Sequence, residues 1–101
     1  MKRALLILLT STVVALPTLA SPDLAKSKNC MGCHTVERKL VGPSYRDIAK
    51  RYAGDTTAAD KLAVRIVQGG SGVWGVIPMP ANPQVSATDA QKLANWILEQ
   101  K

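Results

Sequence analysis

Two cysteines and the only histidine of the chain lie together in the stretch CMGCH, at Cys30, Cys33 and His34. A Cys-x-x-Cys pair serves thiol–disulfide exchange, zinc binding or covalent haem attachment. The histidine that follows directly favours haem, because two thiols at this spacing can add to the two vinyl groups of one porphyrin while the adjacent imidazole reaches the iron. The sequence therefore predicts one haem c, bound covalently through Cys30 and Cys33, with His34 as an iron ligand.

Two other interpretations of these residues remain, and both are less favoured. Zinc would need a further ligand, since Cys30, Cys33 and His34 lie within a few residues of one another and cannot complete a closed tetrahedral site. A thiol–disulfide oxidoreductase typically carries its cysteine pair in a βαβ context, which the sequence does not show.

The second protein ligand of the iron is predicted by elimination. The chain has no second histidine, and apart from Met1 it has only Met31 and Met79. Met31 lies inside the attachment loop and is too close to the cysteines to reach across the ring, which leaves Met79. Prolines on both sides of Met79 fix the backbone there. A thioether ligand favours ferrous iron, whereas ordinary core packing is the alternative role for this side chain.

The first twenty residues have the pattern of a secretory signal peptide. A basic start at Lys2 and Arg3 precedes an apolar stretch, and the small residues at positions 18–20 are typical of a cleavage site. Polar residues and Pro17 interrupt the apolar stretch, which leaves it shorter than a membrane span of ~20 residues. We therefore expect residues 1–20 to be removed, and residues 21–101 to form a single domain that works in the periplasm without a membrane span.

The expected mature domain is small and moderately basic. Without Lys2 and Arg3, the 13 basic residues fall to 11 against 7 acidic residues, a net charge of +4. These charges are scattered, which argues against nucleic-acid binding and suits docking of an acidic protein. A domain of this size has a marginal core of its own, and this chain has no Phe. We expect a flat apolar cofactor to complete the core.

Four helical segments are predicted, with no clear strand. The first starts with Ser21 as its N-cap and leads to the cysteine motif. The second runs over residues 44–53, the third begins with Thr57 and Asp60 in a capping-box pattern, and the last begins at Ser86. Residues 69–85 between the last two carry four glycines and three prolines. An irregular segment of this length usually wraps a ligand or carries function.

The order of these motifs resembles that of small bacterial class I monohaem cytochromes c, the type that donates electrons to nitrite reductase or terminal oxidases. The stretches CMGCH, VGPSY and GVWGVIPMPAN carry the resemblance, together with a helix bearing Arg65 and a last helix bearing Trp96. They span essentially all of residues 21–101. The resemblance implies an all-α cytochrome c fold of four to five short helices, in which the first and last helices cross and only the haem edge is exposed.

The resemblance also implies roles for four further residues. The Pro43 carbonyl would accept a hydrogen bond from His34, Arg65 and Trp74 would bind a haem propionate, and Asn82 would steady the methionine ligand. Each residue has a simpler alternative. The simpler role is a helix start for Pro43, a solvated charge for Arg65, packing beside the haem for Trp74 and a turn for Asn82.

Together these features predict an electron carrier rather than an enzyme. With His34 and Met79 both bound, the iron keeps no position for a substrate and cycles between Fe(III) and Fe(II). We expect a monomer that docks transiently with redox proteins, namely a reductase or oxidase and an upstream quinol-linked complex. If Met79 were displaced, a haem peroxidase or gas sensor would be the alternative function.

Overall fold

The computed structural model describes residues 7–13 and 21–101. Residues 7–13 form no helix or strand, and most of the predicted signal peptide lies outside the described residues. The ordered elements are α1 (Ser21–Ser27), a 3₁₀-helix (Cys30–Gly32), α2 (Tyr45–Arg51), α3 (Ala58–Gln68), β1 (Gly70–Gly72), β2 (Gly75–Met79) and α4 (Ala87–Leu98). None of the helices in the described ranges is both long and apolar enough to cross a membrane.

The last helix, α4, is the element against which the other helices pack. It contacts α1, α2 and α3, and its buried residues recur at intervals of three and four, which places them on one helix face. These residues are Ala90, Leu93, Ala94 and Ile97. With Leu24, Ala25, Tyr45, Ile48, Leu62, Ile66 and Val85 they form the hydrophobic core.

Serine side chains cap the N-termini of two helices. Ser44 Oγ accepts a hydrogen bond from the backbone N–H of Asp47 at 3.0 Å, and Ser86 Oγ accepts one from Asp89 at 3.1 Å. Each bond satisfies one of the N–H groups that a helix leaves unpaired at its start. The predicted start of α4 at Ser86 is confirmed, and α2 follows Ser44 directly.

The start of α3 differs from the prediction. The Thr57 side chain does not cap its helix, so the expected capping box with Asp60 is wrong. Instead, Asp55 Oδ1 accepts from the backbone N–H of Thr57 at 2.8 Å and from its hydroxyl at 2.7 Å. Asp55 Oδ2 accepts from Lys61 Nζ at 2.9 Å. A carboxylate two residues before Thr57 therefore holds the loop that leads into α3.

The glycine-rich segment after α3 contains a short β-hairpin, and the prediction of no strand is wrong there. β1 and β2 are antiparallel, with Gly70 opposite Met79 and Gly72 opposite Gly75. Four of its glycines have positive φ, which allows sharp turns that other residues avoid. The sequence pattern did not predict the hairpin because β2 shows no alternation of buried and exposed residues. The helical fold class is otherwise as predicted.

Candidate functional site

A large cleft lies among the helices and the hairpin, and all the predicted site residues except Asn82 line it. Its volume is about 280 Å³, whereas a single water needs ~10–15 Å³, so the cleft is not a packing defect. Core side chains of three helices form part of its walls, namely Ile48, Leu62, Ile66, Leu93 and Ile97. A space of this size with walls of this kind fits a large apolar ligand.

The turn around the 3₁₀-helix brings both cysteines and His34 to the cleft. The backbone N–H groups of Cys33 and His34 donate to the Cys30 carbonyl at 3.2 and 3.0 Å, and all three residues line the cleft. The two cysteines do not form a disulfide. Burial raises the pKa of the Cys30 thiol, whereas thiol–disulfide exchange depends on a lowered thiol pKa. The surroundings of Cys30 therefore do not favour that chemistry.

His34 is buried, and its ring is held by two neighbours. Nδ1 lies 2.7 Å from the carbonyl oxygen of Pro43. Because a carbonyl oxygen only accepts, this bond requires a proton on Nδ1, so in the neutral imidazole the free lone pair lies on Nε2. Tyr45 stacks on the ring with a centroid separation of 5.4 Å and an interplanar angle of 24°. A neutral imidazole fixed by a backbone carbonyl is the form that binds a metal.

The loop that carries Pro43 returns to the cysteine turn through backbone hydrogen bonds. Gly42 N–H donates to the Cys33 carbonyl at 2.8 Å, and Tyr45 N–H donates to the Thr35 carbonyl at 2.9 Å. A Cβ atom at Gly42 would collide with the His34 ring. Neither the closeness of Gly42 to His34 nor the stacking of Tyr45 was predicted from the sequence. Both residues belong to the stretch VGPSY, which follows the histidine.

Met79 lies at the end of β2, lines the same cleft as His34 and packs against the core. Asn82 ties the chain that follows Met79 to the end of α3. Its backbone N–H donates to the Val67 carbonyl at 3.0 Å, and its Nδ2 donates to the Ile66 carbonyl at 2.9 Å and to that of Pro80 at 3.2 Å. The carbonyls of a last helical turn lack partners within the helix, so Asn82 satisfies two of them and fixes the methionine segment.

Arg65 and Trp74 also line the cleft. The Arg65 guanidinium lies close to Gly70, where a side chain would collide with it. Trp74, between the two strands, is 42% exposed, and the Arg51 guanidinium lies 4.9 Å from the centroid of its indole. Sequence reasoning missed this cation–π contact, since Arg51 and Trp74 are distant in the chain.

The Tyr45 hydroxyl is a buried polar group of the cleft. It has no hydrogen-bond partner among the residues the structure describes, and burial raises the pKa of this hydroxyl well above its ordinary value. Buried hydroxyls usually have a partner, so this one suits a ligand with a polar group. The ring of Trp96 meets Tyr45 edge to face at a centroid distance of 4.9 Å.

The residues that line the cleft fit a covalently attached haem. They supply two thiols for attachment, an imidazole and a thioether for the iron, and apolar walls for the porphyrin. Over residues 7–13 and 21–101, no three His, Cys, Asp or Glu side chains cluster as metal ligands.

Comparisons with known proteins agree with this geometry. The family model described as cytochrome c matches residues 21–101. Cytochrome c-552 of Nitrosomonas europaea is 56% identical over 82 residues, which cover 81% of this chain and 80% of the relative. Cytochrome c-551 of Pseudomonas aeruginosa is 48% identical over 97 residues, which cover 94% of this chain and 92% of the relative.

Solved structures show the same likeness. The crystal structure of wild-type Nitrosomonas europaea cytochrome c552 superposes with a TM-score of 0.77 at 56% identity, covering 79% of this chain and 99% of that one. A class 1 cytochrome of Sideroxydans lithotrophicus ES-1 gives a TM-score of 0.67 at 29% identity, with 80% of this chain and 92% of that one covered. The chain belongs to the cytochrome c family.

Proposed function

We propose that this chain carries electrons in the periplasm, with its haem c attached through Cys30 and Cys33 and ligated by His34 and Met79. The family carries one covalently bound haem c and transfers electrons, and so does this chain. When bound, the haem supplies an iron that accepts and releases one electron. The observation that carries the residue assignment is that both cysteines, the His34 imidazole and the Met79 thioether line one cleft.

The two iron ligands are held from different parts of the chain. Pro43 fixes the His34 ring through the Nδ1 hydrogen bond. Asn82 fixes the segment that follows Met79 by bonding to the end of α3. A ligand that is held in place by its surroundings needs little movement when the charge of the metal changes. Both arrangements therefore favour repeated electron transfer over the opening of an iron position for a substrate.

Arg65 and Trp74 are the proposed partners of a haem propionate. Within the described part of the chain neither side chain donates a hydrogen bond, and the Arg65 guanidinium forms no ion pair. A guanidinium at the wall of an apolar cleft binds a carboxylate through charge-assisted hydrogen bonds. Its positive charge also offsets the negative charge that the propionate brings into the cleft.

Redox partners are expected to dock where the cleft opens to solvent. Val41 and Ile77 line the cleft yet are 52% and 63% exposed, and the exposed Lys39 also lines it. Exposed apolar residues with a nearby positive charge suit a small, transient interface with an acidic partner. The proposed partners are a nitrite reductase or oxidase and an upstream quinol-linked complex, and the chain is proposed to be a monomer.

The periplasmic location rests on the N-terminal pattern of a signal peptide. Cleavage after residue 20 would leave a domain over residues 21–101, the same range that the cytochrome c family model matches. Mass spectrometry of the protein secreted to the periplasm measures both the cleavage site and the added mass of one haem. A chain that retains residues 1–20 would contradict this part of the proposal.

The ligand assignment is tested by an absorption spectrum of the oxidised protein and its methionine variants. We expect a low-spin spectrum with a weak methionine-to-iron charge-transfer band that is lost in Met79→Ala. Met31→Ala is the matched control, because Met31 lies in the attachment turn and is exposed, and it should keep the band. A high-spin wild-type spectrum would point to a peroxidase or gas sensor and would contradict the electron-carrier assignment.

A further inference from the structure

Gly42 lies against the imidazole of His34. An added Cβ would collide with Cε1, the atom between the two ring nitrogens, and would lie 2.8 Å from Nδ1 and 3.0 Å from Nε2. Such distances are shorter than ordinary van der Waals contact. Position 42 is therefore closed to any side chain while the ring keeps its present place.

The need for glycine at this position is steric and not conformational. Gly54, Gly69, Gly70, Gly72 and Gly75 have positive φ, and Gly42 does not belong to this group. The φ angle of residue 42 is therefore one that an alanine can also adopt. What it could not do is share the space with the His34 ring.

The ring has little freedom to move away from an added methyl group. Nδ1 is bonded to the Pro43 carbonyl at 2.7 Å, and Tyr45 stacks on the ring at a centroid distance of 5.4 Å. Gly42 and Pro43 are adjacent in the chain, so a backbone shift that relieved the collision would also displace the carbonyl that holds Nδ1. Either response changes the orientation of the imidazole.

We propose that Gly42 is a positioning residue for His34, whose missing side chain sets the orientation of the imidazole toward the iron. This inference rests on the proposed role of His34 as an iron ligand. It assigns to the residue before Pro43 a function separate from the hydrogen bond that Pro43 accepts. Gly42 limits where the ring can lie, and Pro43 determines which nitrogen carries the proton.

The test compares Gly42→Ala with Gly32→Ala in the haem-loaded protein. Gly32, which lies between the two cysteines, is the matched control. It has no positive φ, and no atom lies within 4 Å of a Cβ added there. The orientation of an iron-bound imidazole is read from the hyperfine-shifted resonances of its ring protons in the NMR spectrum of the oxidised protein. A general loss of stability would not rotate the ring in the folded molecules that remain.

We expect the ring-proton resonances of His34 to shift in Gly42→Ala and to stay near their wild-type positions in Gly32→Ala. In the reduced protein, the Nδ1 proton of Gly42→Ala should exchange with solvent about tenfold faster than in the control, as expected for a weakened hydrogen bond. Ring-proton resonances at their wild-type positions in both variants would overturn the inference and leave the proposed function intact. A wild-type spectrum with no shifted His34 resonances would overturn both.

A second variant covers the case in which Gly42→Ala does not fold. Tyr45→Leu removes the ring that stacks on His34 and gives the imidazole room to move. The double variant Gly42→Ala/Tyr45→Leu should then fold, with shifted His34 resonances. If it fails to fold while Gly32→Ala/Tyr45→Leu folds, the damage at position 42 does not act through the His34 ring, and the inference is wrong.

Discussion

The position of the His34 ring depends on neighbours that lie close to it in sequence. Pro43 and Tyr45 lie about ten residues away, and the backbone bonds from Gly42 and Tyr45 bring them back to the cysteine turn. The resemblance to small cytochromes c predicted the Pro43 contact. It did not reveal the space that Gly42 leaves or the stacking of Tyr45, because neither contact leaves a periodic pattern in the sequence.

The Arg51–Trp74 contact gives a prediction at the scale of single residues. Arg51→Gln should lower the free energy of unfolding by ~0.5–1 kcal/mol, the usual value of an exposed cation–π contact, as measured by urea titration. Lys50→Gln is the matched control, because Lys50 is also exposed in the last turn of α2 and its substitution removes the same charge. An equal loss of stability in both variants would mean that the charge near the helix end matters and the indole does not.

At the scale of elements, the sequence predicted the helices better than their connections. Apolar residues at intervals of three and four identified α3 and α4, and Ser86 identified the start of α4. The hairpin was missed because its short strands are exposed except at Met79, so burial imposes no alternation on them. The hydrogen bonds that hold the loop before α3 were missed because they come from Asp55, two residues before the expected cap.

Asp55 gives a prediction at the same scale. Its hydrogen bonds with Thr57 and then Lys61 lower its pKa from 3.8 to about 2. Since the folded-state pKa is the lower one, ionised Asp55 stabilises the fold above pH 3.8, and this contribution is lost as the pH falls toward about 2. Asp55→Asn should therefore lower the Tm at pH 7, and its difference from wild type should shrink between pH 4 and pH 2.

The control for this pH series is Asp60→Asn. Asp60 lies in the first turn of α3 and is exposed, so this variant removes a charge from the same helix start without disturbing the bonds that Asp55 accepts. Thermal unfolding of both variants over the same pH range separates the two effects. A constant difference between Asp55→Asn and wild type down to pH 2 would contradict the role given to the Asp55 carboxylate.

For the molecule as a whole, the cleft and the core share side chains. Ile48, Leu62, Ile66, Leu93 and Ile97 belong to the core and also line the cleft. The absence of Phe and the small size of the domain predicted that the chain alone would not complete its core. The sequence could not show which side chains would be left facing the cleft, because that depends on how the helices pack together.

A variant without haem attachment tests this dependence. In Cys30→Ala/Cys33→Ala, the apolar walls of the cleft lose the group expected to fill them, so the far-UV circular dichroism signal of the helices should fall and cooperative unfolding should disappear. Met79→Ala, which keeps both attachment cysteines, is the control and should retain its helical signal. A double cysteine variant with wild-type helicity and a cooperative transition would show that the chain folds without its cofactor.

The bonds from Asn82 to the end of α3 have a consequence for local opening. Because the Ile66 and Val67 carbonyls anchor the chain beyond Met79, that chain cannot leave the cleft without breaking them. Its release and the fraying of the last turn of α3 are then one cooperative event, and amide protons in both regions should share one opening free energy in hydrogen exchange. The lifetime of the iron–methionine bond would accordingly depend on the stability of a helix end that does not itself ligate the iron.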